Sequence, residues 1–217
     1  MELLDRSRPA AGRAGGLDTD DACLTAVGAG DERAFTDLVG RWSPLLLDLA
    51  ACWSARPRSD VEEAVRATWI RVVRESPAFR TPPGARAWLC RALLEEVRSR
   101  GWLVGDAHTY RTARPAPSVE PERFLPESHE QWPGHWASPP TPWARDGGAR
   151  GPSREDVVAA VGELPEPNRV VVGLRDVAGC ELLDIVRVLG VPARQGRALL
   201  QGGRARIRTA LDAGLAV

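Results

Sequence analysis

Residues 181–208 read ELLDIVRVLGVPARQGRALLQGGRARIR, and this stretch decides the fold of the carboxy-terminal part. Helical spacing of apolar residues predicts a first helix over residues 181–189. A tight turn follows at Gly190 and Pro192, and a second helix begins at Ala193. Two helices joined by a short turn that contains glycine predict a helix-turn-helix.

The carboxy-terminal part of the chain has an acidic segment followed by a basic one. Residues 153–185 contain 3 Arg against 7 Asp and Glu, whereas residues 186–217 contain 6 Arg against 1 acidic residue. Helix-turn-helix geometry would place such a cationic surface against DNA. The formal net charge of +0 for the whole chain hides this local field. The arginines concerned are Arg187, Arg194, Arg197, Arg204, Arg206 and Arg208.

Two more helices are predicted before the helix-turn-helix. Ser153 and Asp156 match a capping box at the start of the first, which ends at Leu164-Pro165. Asn168 is the predicted cap of the second, over residues 169–178.

The segment from residue 17 to residue 103 has helical spacing throughout, interrupted where glycine and proline stand. Gly28 ends a first helix, and Asp31 is the predicted N-cap of the second. Pro44 is expected to open a separate helix over residues 45–53.

The most regular segment begins at Ser59 or Asp60, either of which is its predicted cap. Its pattern predicts an amphipathic helix with one apolar and one charged face. The apolar face comprises Val61, Ala64, Val65, Thr68, Trp69, Val72 and Val73, and the charged face comprises Glu62, Glu63, Arg66 and Arg71. A further helix, ARAWLCRALLEEVRSR, is predicted up to Gly101.

Residues 104–152 contain 9 of the 18 prolines and show no periodicity, so we expect a linker without helix that is extended or disordered in isolation. Its tryptophans Trp132, Trp136 and Trp143 could pack onto a partner. The sequence thus predicts an all-α fold of two small helical domains, with a leader over 1–16, a first domain over 17–103, the linker, and a second domain over 153–217.

Composition points to a protein of the reducing cytosol. Cys23, Cys52, Cys90 and Cys180 stand singly without a C-x-x-C pair, so we expect small buried hydrophobes and a cytoplasmic protein with neither cofactor nor metal. No apolar run approaches the roughly 18 residues of a membrane span. The spacing of the three histidines, His108, His129 and His135, matches no catalytic or metal-binding motif in the sequence, and no enzyme motif is present.

At this point the sequence resembles a known family, the extracytoplasmic-function (ECF) group of bacterial RNA polymerase sigma factors. Its amino-terminal part is similar to their region 2 through GDERAFTDLVGRWSPLL, DVEEAVRATWIRVV and FRTPPGARAWLCRAL. Its carboxy-terminal part is similar to their region 4 through ELPEPNRVVVGLRDVAGCELLDIVRVLGVPARQGRALLQGGRARIR.

The resemblance implies that the chain binds core RNA polymerase, through the clamp of the largest subunit and the flap, together with promoter DNA. It implies polymerase contacts at Asp60, Glu62, Glu63, Arg66 and Ile70. It implies minus-ten DNA contacts at Trp88, Arg91, Arg98 and Arg100, with Trp102 a further candidate for base stacking. It implies minus-thirty-five contacts at Arg194, Gln195, Arg197, Ala198, Gln201 and Arg204. It implies neither a membrane nor a small-molecule substrate as partner, and it leaves open whether an anti-sigma protein exists.

The chain departs from the family pattern at several of these positions. Arg66-Ala67 replaces Gln-Glu, Glu95 and Ser99 replace Asn and Asp, and the recognition helix carries a Gly202-Gly203 pair. A second hypothesis therefore stays open, that of a sigma-like regulatory or interaction protein that has lost some or all promoter recognition.

Overall fold

A computed structural model describes residues 15–54, 56–81, 84–113 and 153–214, together with residues 125, 126, 128–131, 135 and 137. Within these residues the chain is all-α and has no strand, which confirms the predicted fold class. The helices are α1 (Gly15–Gly28), α2 (Glu32–Trp53), α3 (Arg58–Glu75), α4 (Ala85–Ser99), α5 (Ala107–Thr112), α6 (Arg154–Gly162), α7 (Glu166–Val172), α8 (Leu182–Leu189) and α9 (Ala193–Gly214). We call residues 15–113 the N-terminal bundle and residues 153–214 the C-terminal bundle.

Helix α2 is the central element of the N-terminal bundle. It begins as predicted, because the carboxylate of Asp31 accepts hydrogen bonds from the amides of Arg33 and Ala34. The separate helix predicted after Pro44 is wrong, since α2 runs unbroken through that residue. The buried residues on either side, such as Trp42 and Leu46, follow a single helical face, and their packing outweighs the hydrogen bond that proline cannot donate.

Helix α3 presents a buried face that agrees with the prediction at every position except Val73, which is exposed. At about 100° per residue, Val73 lies farther round the helix from the centre of this face than any of the six buried residues, so it falls outside the core. The predicted cap at Ser59 or Asp60 is wrong, because α3 begins at Arg58 and no side chain caps it.

Helix α5 lies inside the segment that was predicted to be a linker without helix, so that prediction is wrong for residues 107–112. A capping box between Asp106 and Thr109 starts this helix, and the hydrogen bonds from Thr109 hold the pKa of the Asp106 carboxyl below its usual value. Trp132, Trp136 and Trp143 lie outside the described residues.

The C-terminal bundle begins with the predicted capping box between Ser153 and Asp156, which is confirmed. The predicted cap at Asn168 is wrong, because α7 begins at Glu166 and Asn168 lies inside it. Asn168 is buried, and its side-chain amide donates a hydrogen bond to the carbonyl of Leu199 in α9 at 2.8 Å. Asn168 therefore joins α7 to α9 through a buried hydrogen bond and does not cap a helix.

The two bundles pack directly on each other through one continuous apolar core. A short π-helical turn, Gly173–Val177, follows α7 and meets the end of α2. The contact is close enough that a Cβ on Gly173 would lie 2.5 Å from Nε1 of Trp53 and 3.0 Å from Cδ1 of Leu49. Only glycine fits at this crossing without displacing a buried tryptophan.

Candidate nucleic-acid and protein interfaces

A tight turn over residues 190–192 joins α8 to α9, at the position that the sequence predicted. Gly190 ends α8 in the left-handed conformation, with φ 65°, which glycine adopts without steric cost. The carbonyl of Pro192 then accepts hydrogen bonds from the amides of Gln195 and Gly196, which starts α9. A Cβ on Gly196 would lie 2.5 Å from Cγ1 of Val186, so this glycine lets the two helices approach closely.

The first turns of α9 carry most of the side chains predicted to contact DNA in the major groove. Arg194, Arg197 and Gln201 are exposed, and Ala198 is half-buried. Gln195 differs, because its amide nitrogen donates hydrogen bonds to the carbonyls of Tyr110 at 3.0 Å and Ala113 at 2.7 Å. In this packing of the bundles, Gln195 is bound to the end of α5.

Arg204 is also engaged within the chain. Its Nε donates to Oδ2 of Asp176 at 2.9 Å, and its Nη2 makes a second bond to Oδ1 of the same carboxylate. The hydrogen bonds with Asp176 raise the pKa of the guanidinium, with partial burial acting the other way. Arg206 and Arg208 lie farther along the exposed face of α9, and Arg208 pairs loosely with Asp212 at 3.7 Å.

The Gly202-Gly203 pair does not interrupt α9, which runs through both glycines. A Cβ on Gly203 would lie 2.7 Å from Cγ2 of Val172 and 3.4 Å from the Cβ of Asn168. The glycine therefore permits the close crossing of α9 over α7 that also carries the Asn168 hydrogen bond. Packing offsets the helix propensity that glycine lacks, about 1 kcal/mol.

The α4 residues predicted to capture the minus-ten strand do not form one free surface. Trp88 packs edge-on against Phe79, with the ring centroids 5.8 Å apart. Nε of Arg91 lies 3.0 Å from Oε1 of Glu95, with which it forms an ion pair. Arg98 lies over the ring of Tyr110 at 5.3 Å and is half-buried.

Arg100 and Trp102 form a cation and aromatic site at the end of α4. The guanidinium of Arg100 lies 5.8 Å from the ring of Trp102 and bonds to Glu96 at 2.8 Å and Glu63 at 3.3 Å; the bond to Glu96 is the main cause of its raised pKa. A second guanidinium, of Arg56, lies 5.9 Å from the same ring. Sequence reasoning missed Arg56, because it stands in an irregular turn and meets Trp102 only through the fold.

The outer face of α3 combines carboxylates with apolar side chains. Glu62, Glu63 and Arg66 are exposed, as predicted, and Asp60 is half-buried. Ile70 is 70% exposed and Val73 49% exposed, so an apolar patch lies beside the charges. The members of this α3 outer face are Asp60, Glu62, Glu63, Arg66, Ile70 and Val73.

Arg71 was predicted on the charged outer face, and that prediction is wrong. Its guanidinium turns toward α4 and bonds to Glu95 at 3.1 Å, with Glu75 at 3.4 Å. Glu95, one of the departures from the family pattern, thus has a structural role, since it joins α3 to α4 through Arg71 and also pairs with Arg91.

Glu166 fastens the C-terminal bundle to α5. Its Oε2 accepts a hydrogen bond from the amide of Val104 at 2.9 Å, and its Oε1 accepts from the amide of Gly105 at 2.8 Å and the hydroxyl of Tyr110 at 3.1 Å. Burial is the main cause that raises the pKa of Tyr110, and the charge of Glu166 adds to it. We call this group the Glu166 latch.

Among the residues that the structure describes, no helix is both long and apolar enough to cross a membrane. Within the same residues, no group of three or more His, Cys, Asp and Glu side chains is placed to hold a metal ion.

No protein-family model matches the sequence, and no curated protein matches it. Among solved structures, the chain is similar to CnrH in the structure of CnrH in complex with the cytosolic domain of CnrY, with 22% sequence identity and a TM-score of 0.59. The similarity covers 90% of this chain and 99% of CnrH. This likeness shows that the chain shares the fold of CnrH over 90% of its length.

Proposed function

We propose that this protein is an ECF-type sigma factor, which binds core RNA polymerase and directs it to promoters. The observation that carries the proposal is the fold shared with CnrH, an ECF sigma factor, over 90% of the chain. The order of the elements agrees with the sequence resemblance, since the region 2-like residues fall in the N-terminal bundle and the region 4-like residues in the C-terminal bundle.

Polymerase binding is assigned to the α3 outer face. Exposed Ile70 and Val73 give an apolar patch, and Glu62, Glu63 and Arg66 give charges beside it. Interfaces between proteins commonly have this composition, because apolar burial supplies affinity and charges select the partner. Exposed Ile70 and Val73 gain no burial within the N-terminal bundle, so a partner surface is a physical reason for their exposure.

Promoter contacts are assigned to both bundles. In the C-terminal bundle Arg194 and Arg197 stand at the start of the second helix of the helix-turn-helix, where side chains reach base edges in the major groove. In the N-terminal bundle Arg56, Arg100 and Trp102 offer the guanidinium and aromatic planes on which unpaired bases stack. A protein of this function acts in the cytoplasm.

A second candidate function is that of a sigma-like protein that binds a partner without reading promoters. The specific observation in its favour is that Gln195 and Arg204 are both hydrogen-bonded within the chain, Gln195 to α5 and Arg204 to Asp176. A sigma factor of this design must release Gln195, and hence move the bundles apart, before α9 reads DNA with all its polar side chains.

The proposal extends to a regulatory protein partner. The structure of CnrH holds it in complex with the cytosolic domain of CnrY. A protein of that kind would bind this chain by stabilising one arrangement of the two bundles, and it would act on the same contacts that the Glu166 latch and Gly173 now make.

The experiment that tests polymerase binding is a titration of fluorescently labelled full-length protein with core RNA polymerase, followed by anisotropy. We expect saturable binding that unlabelled protein competes away. An anisotropy that stays unchanged across the titration overturns the proposed sigma-factor function and leaves the second candidate only with a partner other than core polymerase. Saturable binding without promoter-dependent initiation leaves the second candidate.

A further inference from the structure

Cys90 and Cys180 are far apart in the sequence and adjacent in the fold. Their Sγ atoms lie 3.8 Å apart, with Cys90 in α4 of the N-terminal bundle and Cys180 in the loop before α8 of the C-terminal bundle. Both are free thiols, and their residues are 0% and 2% exposed. The contact therefore spans the boundary between the bundles.

The backbone around this pair is held in place. The amide of Cys180 donates to the carbonyl of Leu174 at 2.8 Å, and its carbonyl accepts from Arg175 at 2.8 Å. Across the boundary, Arg86 donates to the carbonyl of Ala178 at 2.7 Å. A disulfide requires the sulfurs to close from this 3.8 Å separation to roughly 2.0 Å.

The closed packing also controls when these thiols can react. The hydrogen bond with Cys180 and burial raise the pKa of Cys90 well above that of an ordinary thiol, so the reactive thiolate is suppressed. Arg86 acts in the opposite direction on the same thiol. An opening between the bundles would remove burial and the Cys180 bond together, and would so increase the fraction of Cys90 that is thiolate.

We propose that Cys90 and Cys180 form a reversible disulfide that ties the two bundles together when the cell is exposed to peroxide. The Cys90 thiolate attacks one oxygen of hydrogen peroxide, the O–O bond breaks, and hydroxide leaves a sulfenic acid behind. The Cys180 thiolate then attacks that sulfur, the S–O bond breaks, and a second hydroxide leaves. The hydroxides take the two thiol protons, so peroxide is reduced to two waters as two thiols become one disulfide.

The consequence for activity rests on the proposed function. A disulfide between the bundles preserves the arrangement in which Gln195 is bonded to Tyr110 and Ala113. Oxidation then holds part of the second helix of the helix-turn-helix away from DNA, and reduction by a dithiol releases it. Peroxide thus acts as an inhibitory signal through these two cysteines.

The test treats reduced full-length protein with hydrogen peroxide and maps its peptides without reduction. We expect a monomer that has lost two hydrogen atoms, a peptide that links Cys90 to Cys180, and a melting temperature that rises and returns with dithiothreitol. Cys90→Ser and Cys180→Ser should each abolish the link, whereas Cys23→Ser and Cys52→Ser should leave it intact.

A link found only between two copies overturns the proposal, as does oxidation confined to Cys23 and Cys52. If the serine variants do not fold, the peptide map of the wild-type chain still shows whether Cys90 and Cys180 are linked. The map needs no polymerase, so it stands apart from the proposed function. Failure of the reduced protein to initiate transcription counts against that function alone, whereas equal initiation by linked and reduced protein overturns the inhibitory role.

Discussion

The hydroxyl of Tyr110 donates a hydrogen bond to Oε1 of Glu166 at 3.1 Å, and this bond joins the last described helix of the N-terminal bundle to the first turn of α7. The same carboxylate accepts the amides of Val104 and Gly105. Because the carbonyl of Tyr110 in α5 accepts a hydrogen bond from Gln195, the latch connects the packing of the bundles to the start of α9.

We predict that Glu166→Gln weakens the contact between the bundles by about 1 to 3 kcal/mol, because one of the three donors then faces an amide NH₂ group. Urea unfolding measures the loss, and faster exchange of the Val104 and Gly105 amides locates it. The matched control is Glu163→Gln, at an exposed residue three positions earlier. Equal effects of the two substitutions would remove the latch from the account.

Tyr110 is the single tyrosine of the chain, so its titration can be followed by tyrosinate absorbance. Its pKa is raised by burial and by Glu166, so the stability that neutral Tyr110 provides is complete below the ordinary pKa of about 10. That stability is lost as the pH rises through the folded-state pKa, at up to about 1.4 kcal/mol per pH unit.

We therefore predict that the wild type loses stability relative to Tyr110→Phe only on the alkaline side, and that Glu166→Gln lowers the pKa of Tyr110 by removing the neighbouring charge. Absorbance titration of both proteins measures this shift, and urea unfolding at several pH values measures the stability. An ordinary tyrosine pKa in the native wild type contradicts the burial of this hydroxyl.

The position of Gly173 gives a second test of the packing between bundles. Gly173→Ala places a methyl group 2.5 Å from Nε1 of Trp53, and we expect a loss of about 1 to 3 kcal/mol in the free energy of unfolding. The matched control is Gly40→Ala in α2, where no neighbouring atom lies within 4 Å. There alanine should stabilise the helix by about 0.5 to 1 kcal/mol. A neutral Gly173→Ala would mean that Trp53 and Gly173 are not in contact.

Much of the fold could be predicted because its signals are local. Gly190 and Pro192 mark the turn between α8 and α9, and Asp31 caps α2, within a few residues of the structure that each one determines. The prediction of a separate helix after Pro44 was wrong because it used only the local effect of proline. The buried face of α2 continues across this residue, and tertiary packing keeps the helix unbroken. The candidate interfaces were harder to predict from the sequence, because they too depend on tertiary packing.

The contacts that define the candidate interfaces are long-range. Gln195 meets Tyr110 across 85 residues, and Cys90 meets Cys180 across 90. Periodicity in the sequence does not predict such a pairing. Helical spacing determines which face of a helix a side chain occupies, but it does not determine which element covers that face. The exposed arginines of α9 were predictable, since their role depends only on that face.

Charge reversal on the α3 outer face tests the assigned polymerase contact. We predict that Glu62→Arg with Glu63→Arg weakens binding to core RNA polymerase about tenfold, or about 1.4 kcal/mol, by opposing the charge of the partner. The fold should survive, because the pairs that these carboxylates make with Arg58 and Arg100 are at the surface. Asp37→Arg, an exposed reversal on α2, is the control. Unchanged affinity in the double variant would remove α3 from the interface.

Two arginines of α9 should separate base reading from phosphate binding. Arg197→Ala should cost about 1 to 3 kcal/mol on one promoter sequence and change the preference among promoters. Arg206→Ala, farther along the helix, should weaken binding to every sequence alike and reduce the salt slope by about one unit. Holoenzyme binding to a panel of promoter fragments at several salt concentrations distinguishes them. Equal, sequence-independent losses would show that α9 does not read bases.

The most direct test of the central claim is run-off transcription from a library of promoter fragments by core RNA polymerase, with and without the reduced full-length protein. We expect defined transcripts from a subset of fragments only when the protein is present. We expect fewer or different transcripts with Arg197→Ala and a general loss with the double reversal at Glu62 and Glu63. Binding to core polymerase without a transcript from any fragment would contradict the proposed function in promoter recognition.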